Sequence, residues 1–144
     1  MPLVKKQLIV PYSAQQMFDL VDQVEQYPDF MPWCGGTKVQ RPSEHEVIAQ
    51  VMIKLGAVSQ GFTTKNHQCR PSEIKLHLAD GPFESLEGSW KFKALSEQAC
   101  KIHFELQYVF ASRLLGLAIA PIFDQIARGF VDAFVTEAEK RYGT

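Results

Sequence analysis

The sequence has few cysteines, Cys34, Cys69 and Cys100, and no two of them stand two residues apart. Such an odd, dispersed set is neither a disulfide framework nor a zinc or redox motif, so reduced thiols in a cytoplasmic protein are expected. Long apolar runs are also lacking. The N-terminal lysines are followed only by Leu8–Val10 before Pro11, too short for a signal-peptide core. The most apolar window, Leu114–Phe123, has about half of the roughly twenty residues a spanning helix needs, so no membrane crossing is expected. Charge of one sign is absent as well. Fifteen Lys and Arg against sixteen Asp and Glu leave a formal charge of -1, which excludes strong non-specific attraction to DNA or anionic lipid through net charge.

Catalytic motifs are equally scarce. None of His45, His67, His77 and His103 lies three or four residues from another, as a helical metal pair requires. Gly35-Gly36 leads towards a strand and not a helix, so no phosphate-cradling turn is expected. No serine sits in a Gly-x-Ser-x-Gly elbow. Cys34 lacks an adjacent cation or histidine to make it a thiolate nucleophile. Glu84 and Glu87 read as solvated charges in a turn-like segment, Asp80–Gly88. No catalytic residue, metal ligand or required cofactor is assigned.

What is present is the material of a core: 144 residues, 46% hydrophobic and 22% charged. This is enough for a single domain over residues 1–144, one that buries roughly 70% of the surface its unfolded chain exposes. Leu3–Val10 reads as a strand. Ser13 and Gln16 form a capping box for a helix whose apolar stripe is Ala14, Met17, Phe18, Val21 and Val24, with Gln15, Asp19, Asp22 and Gln23 on the wet side. A short helix or turn and a loop follow around Pro28 and Pro32. From Thr37 to Phe110 the period is two, and five strands fit. Glu46–Leu55 alternates most clearly, and Trp90, Phe104 and Tyr108 fall on the dry faces of later strands. Ser112–Tyr142 reads as one long helix with a stripe at Leu115, Ile119, Ile122, Ile126, Phe130 and Phe134, kinked or broken at Pro121. Strand, two short helices, strands and a long helix make an α+β helix-grip fold, a curved antiparallel sheet of six or seven strands wrapped around the C-terminal helix.

Two clusters exceed what a simple core requires. The segment Leu114–Phe123 is apolar on every side, which suits a helix start enclosed by loops, a pocket wall, a membrane-touching gate or a subunit interface. Tyr27, Phe30, Trp33 and Phe83 are placed either to close the mouth of such a pocket or to cap the core.

The stretch Tyr27-Pro28-Asp29-Phe30-Met31-Pro32-Trp33-Cys34, the stretch Asp80-Gly81-Pro82-Phe83 with Leu86-Glu87-Gly88 and Trp90, and the opening Val10-Pro11-Tyr12-Ser13-Ala14 resemble the coenzyme Q-binding START-like family. The likeness is to its bacterial branch of ribosome association toxins, also called oligoketide cyclases, and it covers nearly the whole chain. The resemblance implies a START/Bet v 1-like fold with a hydrophobic cavity and ubiquinone or a related polyprenyl lipid as ligand. It also implies a supporting role in respiration or quinone biosynthesis, without turnover. For some members it implies binding to the 50S ribosomal subunit, which blocks subunit association. Polyketide cyclisation is a remote alternative, because no acid or base set accompanies it.

On this basis Trp33, Phe83, Leu86, Trp90, Phe104, Tyr108, Ile119 and Phe123 are expected to wall the ligand. Tyr27, Phe30, Leu114 and Leu117 are expected at the mouth or against the inner membrane or a partner. Phosphate contacts to ribosomal RNA would draw on Lys5, Lys6, Lys38, Arg41, Lys65, Arg70, Lys91, Lys93 and Lys101.

Overall fold

The structure, a computed structural model, describes residues 3–143; Met1, Pro2 and Thr144, at the ends of the expected domain, lie outside the described residues. Strand β1 (Leu3–Val10) leads into helix α1 (Ala14–Asp22), a 3-10 turn (Val24–Gln26) and helix α2 (Tyr27–Phe30). Six strands follow: β2 (Cys34–Gln40), β3 (Glu46–Leu55), β4 (Val58–Cys69), β5 (Glu73–Asp80), β6 (Phe83–Ser96) and β7 (Ala99–Phe110), and then helix α3 (Arg113–Tyr142). The seven strands form one antiparallel sheet in the order β1-β7-β6-β5-β4-β3-β2. Successive hairpins build the sheet from β2 to β7, and β1 is added beside β7.

Local chemistry accounts for the element boundaries. Ser13 accepts from the Gln16 amide at 3.0 Å while Gln16 accepts from the Ser13 amide at 2.9 Å, so two otherwise orphaned donors at the start of α1 are satisfied. Ser112 caps α3 through the Leu115 amide at 3.1 Å. The tight turn between β3 and β4 places Gly56 at φ 60°, where a residue without Cβ is unstrained.

Burial on β3 and β7 follows the two-residue period. Val47, Ala49, Val51 and Ile53, and Cys100, Ile102, Phe104, Leu106 and Tyr108, turn inward towards α3. Between those strands, Gly88 allows β6 and β7 to approach closely. A Cβ there would stand 2.7 Å from the Glu105 carbonyl oxygen and 2.9 Å from Leu106 Cδ1. The resulting core is aromatic at its centre, where Trp90 meets Phe104 at 4.5 Å and Phe130 meets Phe134 at 4.9 Å between ring centroids.

Four sequence expectations need correction. Six strands, not five, occupy the period-two region: β4 shows no apolar alternation after Phe62, and β2 starts earlier than expected, at Cys34, running through the double glycine with a bulge. The Asp80–Gly88 segment is no extended turn: β6 begins at Phe83, and Glu84 and Glu87 are outward-facing strand residues. Of the kink or break expected at Pro121, the break is absent, for helix α3 runs on through it. The donor missing at Pro121 would have served the Leu117 carbonyl, and Leu117 lies in an exposed turn where water can take its place. The buried stripe of α3 is Ile119, Phe123, Ala127, Val131, Phe134 and Ala138. It is rotated from the expected one, so that Leu115 is exposed and Ile122, Ile126 and Phe130 are half-buried. By length and composition α3 is also apolar enough to cross a membrane, but this stripe packs into the concave face of the sheet.

Candidate functional site

Between α3 and the concave face of the sheet lies a cavity of about 90 Å³. It exists because β4, an inner strand of the sheet, turns Phe62, Thr64, Asn66 and Gln68 inward while Lys65 and His67 face out. Short polar side chains stand where bulky apolar ones would fill the space. Opposite them are Phe123, Ile126, Ala127 and Phe130 of α3, and the sides are closed by Trp33, Leu86, Trp90, Phe104 and Leu106.

The cavity has two chemically different ends. At one, Phe62 packs against Phe123 and Phe83, both with ring centroids 5.9 Å away. At the other, the lining includes Asp22, which is only 7% exposed. Its carboxylate accepts from the Gln68 side-chain amide, from Arg41 at 3.1 Å and from Arg70 at 2.7 Å. Arg41 also reaches the Asp22 backbone carbonyl and Glu25, both at 3.0 Å, and Arg70 lies over the Phe18 ring at 4.5 Å. The wet-side placement expected for Asp22 is thus wrong. Its helix ends there, and the two arginines and Gln68 supply the partners a buried carboxylate needs.

Asn66 is different. It is 6% exposed, and its side-chain carbonyl oxygen is buried with no hydrogen-bond partner among the described residues.

Of the residues expected at the wall, Trp33, Leu86, Trp90, Phe104 and Phe123 line the cavity, as does Tyr27, which was expected at the mouth. Phe83, Tyr108 and Ile119 do not. Phe83 and Tyr108 are buried in the aromatic group beyond the Phe62 end, 5.0 Å and 4.7 Å from Phe123, and Ile119 is buried on α3. Phe30 packs against Phe134 at 5.8 Å, outside the lining. Leu114 and Leu117 are 78% and 73% exposed on the first turns of α3. Asp22, Thr64, Asn66 and Gln68 were not anticipated; the signal available was the every-second-residue polar series after Phe62.

The tyrosine and cysteine side chains in and around the cavity are held in their neutral forms. Burial, reinforced by the negative charge of Asp22, raises the Tyr27 phenol well above its ordinary range, and its hydroxyl donates to the Val21 carbonyl. Burial and the hydrogen bond to Asp124 push Tyr108 up. Burial raises the Cys34 thiol and pushes Cys100 up to about 11, so neither is a ready nucleophile. Among the described residues no cluster of three or more His, Cys, Asp and Glu is placed to hold a metal ion.

The basic residues scatter over the surface. Lys5 pairs with Glu105, Lys6 with Asp132, Lys65 with Glu46, and Arg41 and Arg70 with Asp22. Lys93 and Lys101, by contrast, face each other across the β6–β7 ladder, with Lys91 two residues away on the same outer face.

Comparison with known proteins agrees with this architecture. The chain is 40% identical to the ribosome association toxin RatA of Pseudomonas aeruginosa over 97% of both chains. It is 27% identical to the mitochondrial coenzyme Q-binding protein COQ10 homolog B of Xenopus laevis, covering 94% of this chain and 57% of that one. The crystal structure of the Zhui aromatase/cyclase from Streptomyces sp. R1128 superposes with a TM-score of 0.79 at 16% identity, over 97% of this chain and 94% of that one, a likeness of fold. The family described as polyketide cyclase / dehydrase and lipid transport matches residues 10–135. The chain belongs to this family, with RatA proteins among its relatives.

Proposed function

We propose that the protein binds a hydrophobic ligand without turning it over, and that the ligand is ubiquinone or a related polyprenyl quinone, in support of respiration or quinone biosynthesis. The observation that carries this reading is the apolar, aromatic-walled cavity between α3 and the sheet. A distant relative named for coenzyme Q binding supports it. Burying one methylene is worth about 0.8 kcal/mol, so a five-carbon isoprene unit gains roughly 3 to 4 kcal/mol. Two or three units then reach micromolar affinity after the costs of association.

A cavity of about 90 Å³ is below the roughly 300 to 1,000 Å³ of typical ligand pockets. The chain of a long lipid must therefore leave the interior. The exposed Leu114 and Leu117, upstream of Phe123, supply an apolar path along α3 towards the membrane surface. Cyclase chemistry has less support: Asp22 and Tyr27 are the only acidic groups in the lining, and both are committed to protein partners.

The test is mass spectrometry of the organic extract from protein purified without detergent from a quinone-making bacterium, beside Leu117→Asp. A stoichiometric quinone, lost in the variant, is the expected result. An empty wild-type protein, shown to be folded, overturns the carrier reading. Ile119, 6% exposed, is unsuitable for the same substitution, because a carboxylate there would disturb packing.

A second reading is binding to the 50S subunit, as the names of the RatA relatives suggest. It is favoured by Lys93 and Lys101, two like charges that oppose each other across a ladder with no ion pair to an acidic side chain among the described residues, beside Lys91, which stands opposite Glu73. Co-sedimentation with 50S particles that falls with salt and with Lys93→Glu supports this reading. Co-sedimentation insensitive to both removes it.

A further inference from the structure

Asn66 stands on β4 between Thr64 and Gln68, and all three side chains face the cavity. Gln68 is committed to Asp22. Asn66 has no such partner: its side-chain oxygen is sealed from solvent and accepts no hydrogen bond from the described residues. Leaving such an acceptor bare costs free energy that an apolar residue of similar size would avoid. The charge in the surroundings is equally specific. Among the described residues no lysine, arginine or histidine lines the cavity, and the one carboxylate there, Asp22, is already held by two arginines that approach it from outside the lining.

Resting on the hydrophobic-ligand reading above, we infer that the ligand is an uncharged amphiphile whose single polar end, a ring hydroxyl or carbonyl, hydrogen-bonds to the side-chain amide of Asn66. The amide suits both, since its oxygen accepts from a hydroxyl and its NH2, after rotation, donates to a carbonyl. An anionic head, such as a fatty-acid carboxylate, would be buried with no cation facing it and with Asp22 nearby. A cationic head would have to compete with Arg41 and Arg70 for Asp22. The apolar part then points to the Phe62 and Phe123 end, where the lining has no polar group.

Three probes with one ten-carbon chain and different heads test this: a decyl-substituted dimethoxy-methyl benzoquinone, decylbenzene and decanoate at pH 8. Each is titrated as a competitor of diphenylhexatriene, a hydrocarbon fluorophore, on wild type and Asn66→Leu. Wild type is expected to bind the quinone most tightly and decanoate most weakly. Asn66→Leu should weaken the quinone about three- to tenfold, the effect of one hydrogen bond, and leave decylbenzene within about twofold. It should melt no lower than wild type without ligand, and Asn66→Ala gives the same comparison if the leucine variant does not fold.

A quinone affinity unchanged by the substitution shows that water and not the head group satisfies Asn66, and overturns the inference. Decanoate binding as tightly as the quinone overturns it as well. In either case the cavity reading stands so long as the hydrocarbons bind. Failure of wild type to bind even diphenylhexatriene and decylbenzene removes the hydrophobic-ligand reading itself.

Discussion

Arg70, in the turn between β4 and β5, donates to the Asp22 carboxylate at 2.7 Å and so ties that turn to the last residue of α1. Arg41 reaches the other carboxylate oxygen from beyond the end of β2. Three distant segments thus share one buried charge at the polar end of the cavity. The two arginines are half-exposed, whereas Asp22 is buried.

Removing one arginine leaves the carboxylate with the other and with Gln68. Arg41→Ala or Arg70→Ala alone should therefore cost about 1 kcal/mol, while the double variant, which strands the charge, should cost about 3 kcal/mol or more. Urea denaturation of the four proteins in the cycle measures this. Simple additivity would mean that the two arginines act independently of each other, with no coupling through a shared charge.

Gly88→Ala should destabilise by about 1 to 3 kcal/mol, because the new methyl group meets the Glu105 carbonyl oxygen, a backbone atom that cannot rotate away. The midpoint of urea unfolding should fall with little change in slope. A variant as stable as wild type would show that β6 and β7 can separate at no cost.

Stability should decline between about pH 9 and pH 11. The folded chain holds the Cys100 proton more tightly than the unfolded chain does, with burial moving the thiol from an ordinary 9.0 to about 11. Its contribution is complete below pH 9 and is lost as pH rises through 11. Tyr27, also raised by burial, adds to the decline at higher pH. Thermal midpoints of wild type and Cys100→Ala across this range provide the check: the variant begins lower, having lost packing, but falls less steeply. Parallel curves would exclude the thiol as a cause.

Much of the fold was legible in the sequence because β3 and β7 pack only one face and so alternate cleanly, and because the Ser13 and Gln16 cap marks the start of α1. Strand β4 was hard to read for the reason that makes the cavity. Its inward residues after Phe62 are Thr64, Asn66 and Gln68, so no apolar alternation reports it. Strand β2 opens with Cys34-Gly35-Gly36, which has almost no side chain to alternate. Asp22 was misassigned because helical periodicity places a carboxylate on the wet side unless partners from elsewhere come to it. Arg41 and Arg70 are 19 and 48 residues away. The aromatic wall was easier to find, since Trp90 and Phe104 lie on dry strand faces. Their neighbours Phe83 and Tyr108 share that character but lie beyond the cavity, a distinction of depth that a strand pattern does not encode.

The pairing of the first strand with the seventh sets an order of events during synthesis. Leu3 lies opposite Gln107 and Val10 opposite Cys100, so β1 has no ladder partner until the polypeptide has been extended through β7. Hairpins from β2 to β7 can form in turn as each is completed, while β1 and α1 must wait as an unpaired leader. The final helix, which covers the apolar face, arrives later still. Non-local closure of this kind slows folding and leaves sticky surface open meanwhile, so a nascent chain arrested before Phe110 should be a substrate for chaperones or proteases.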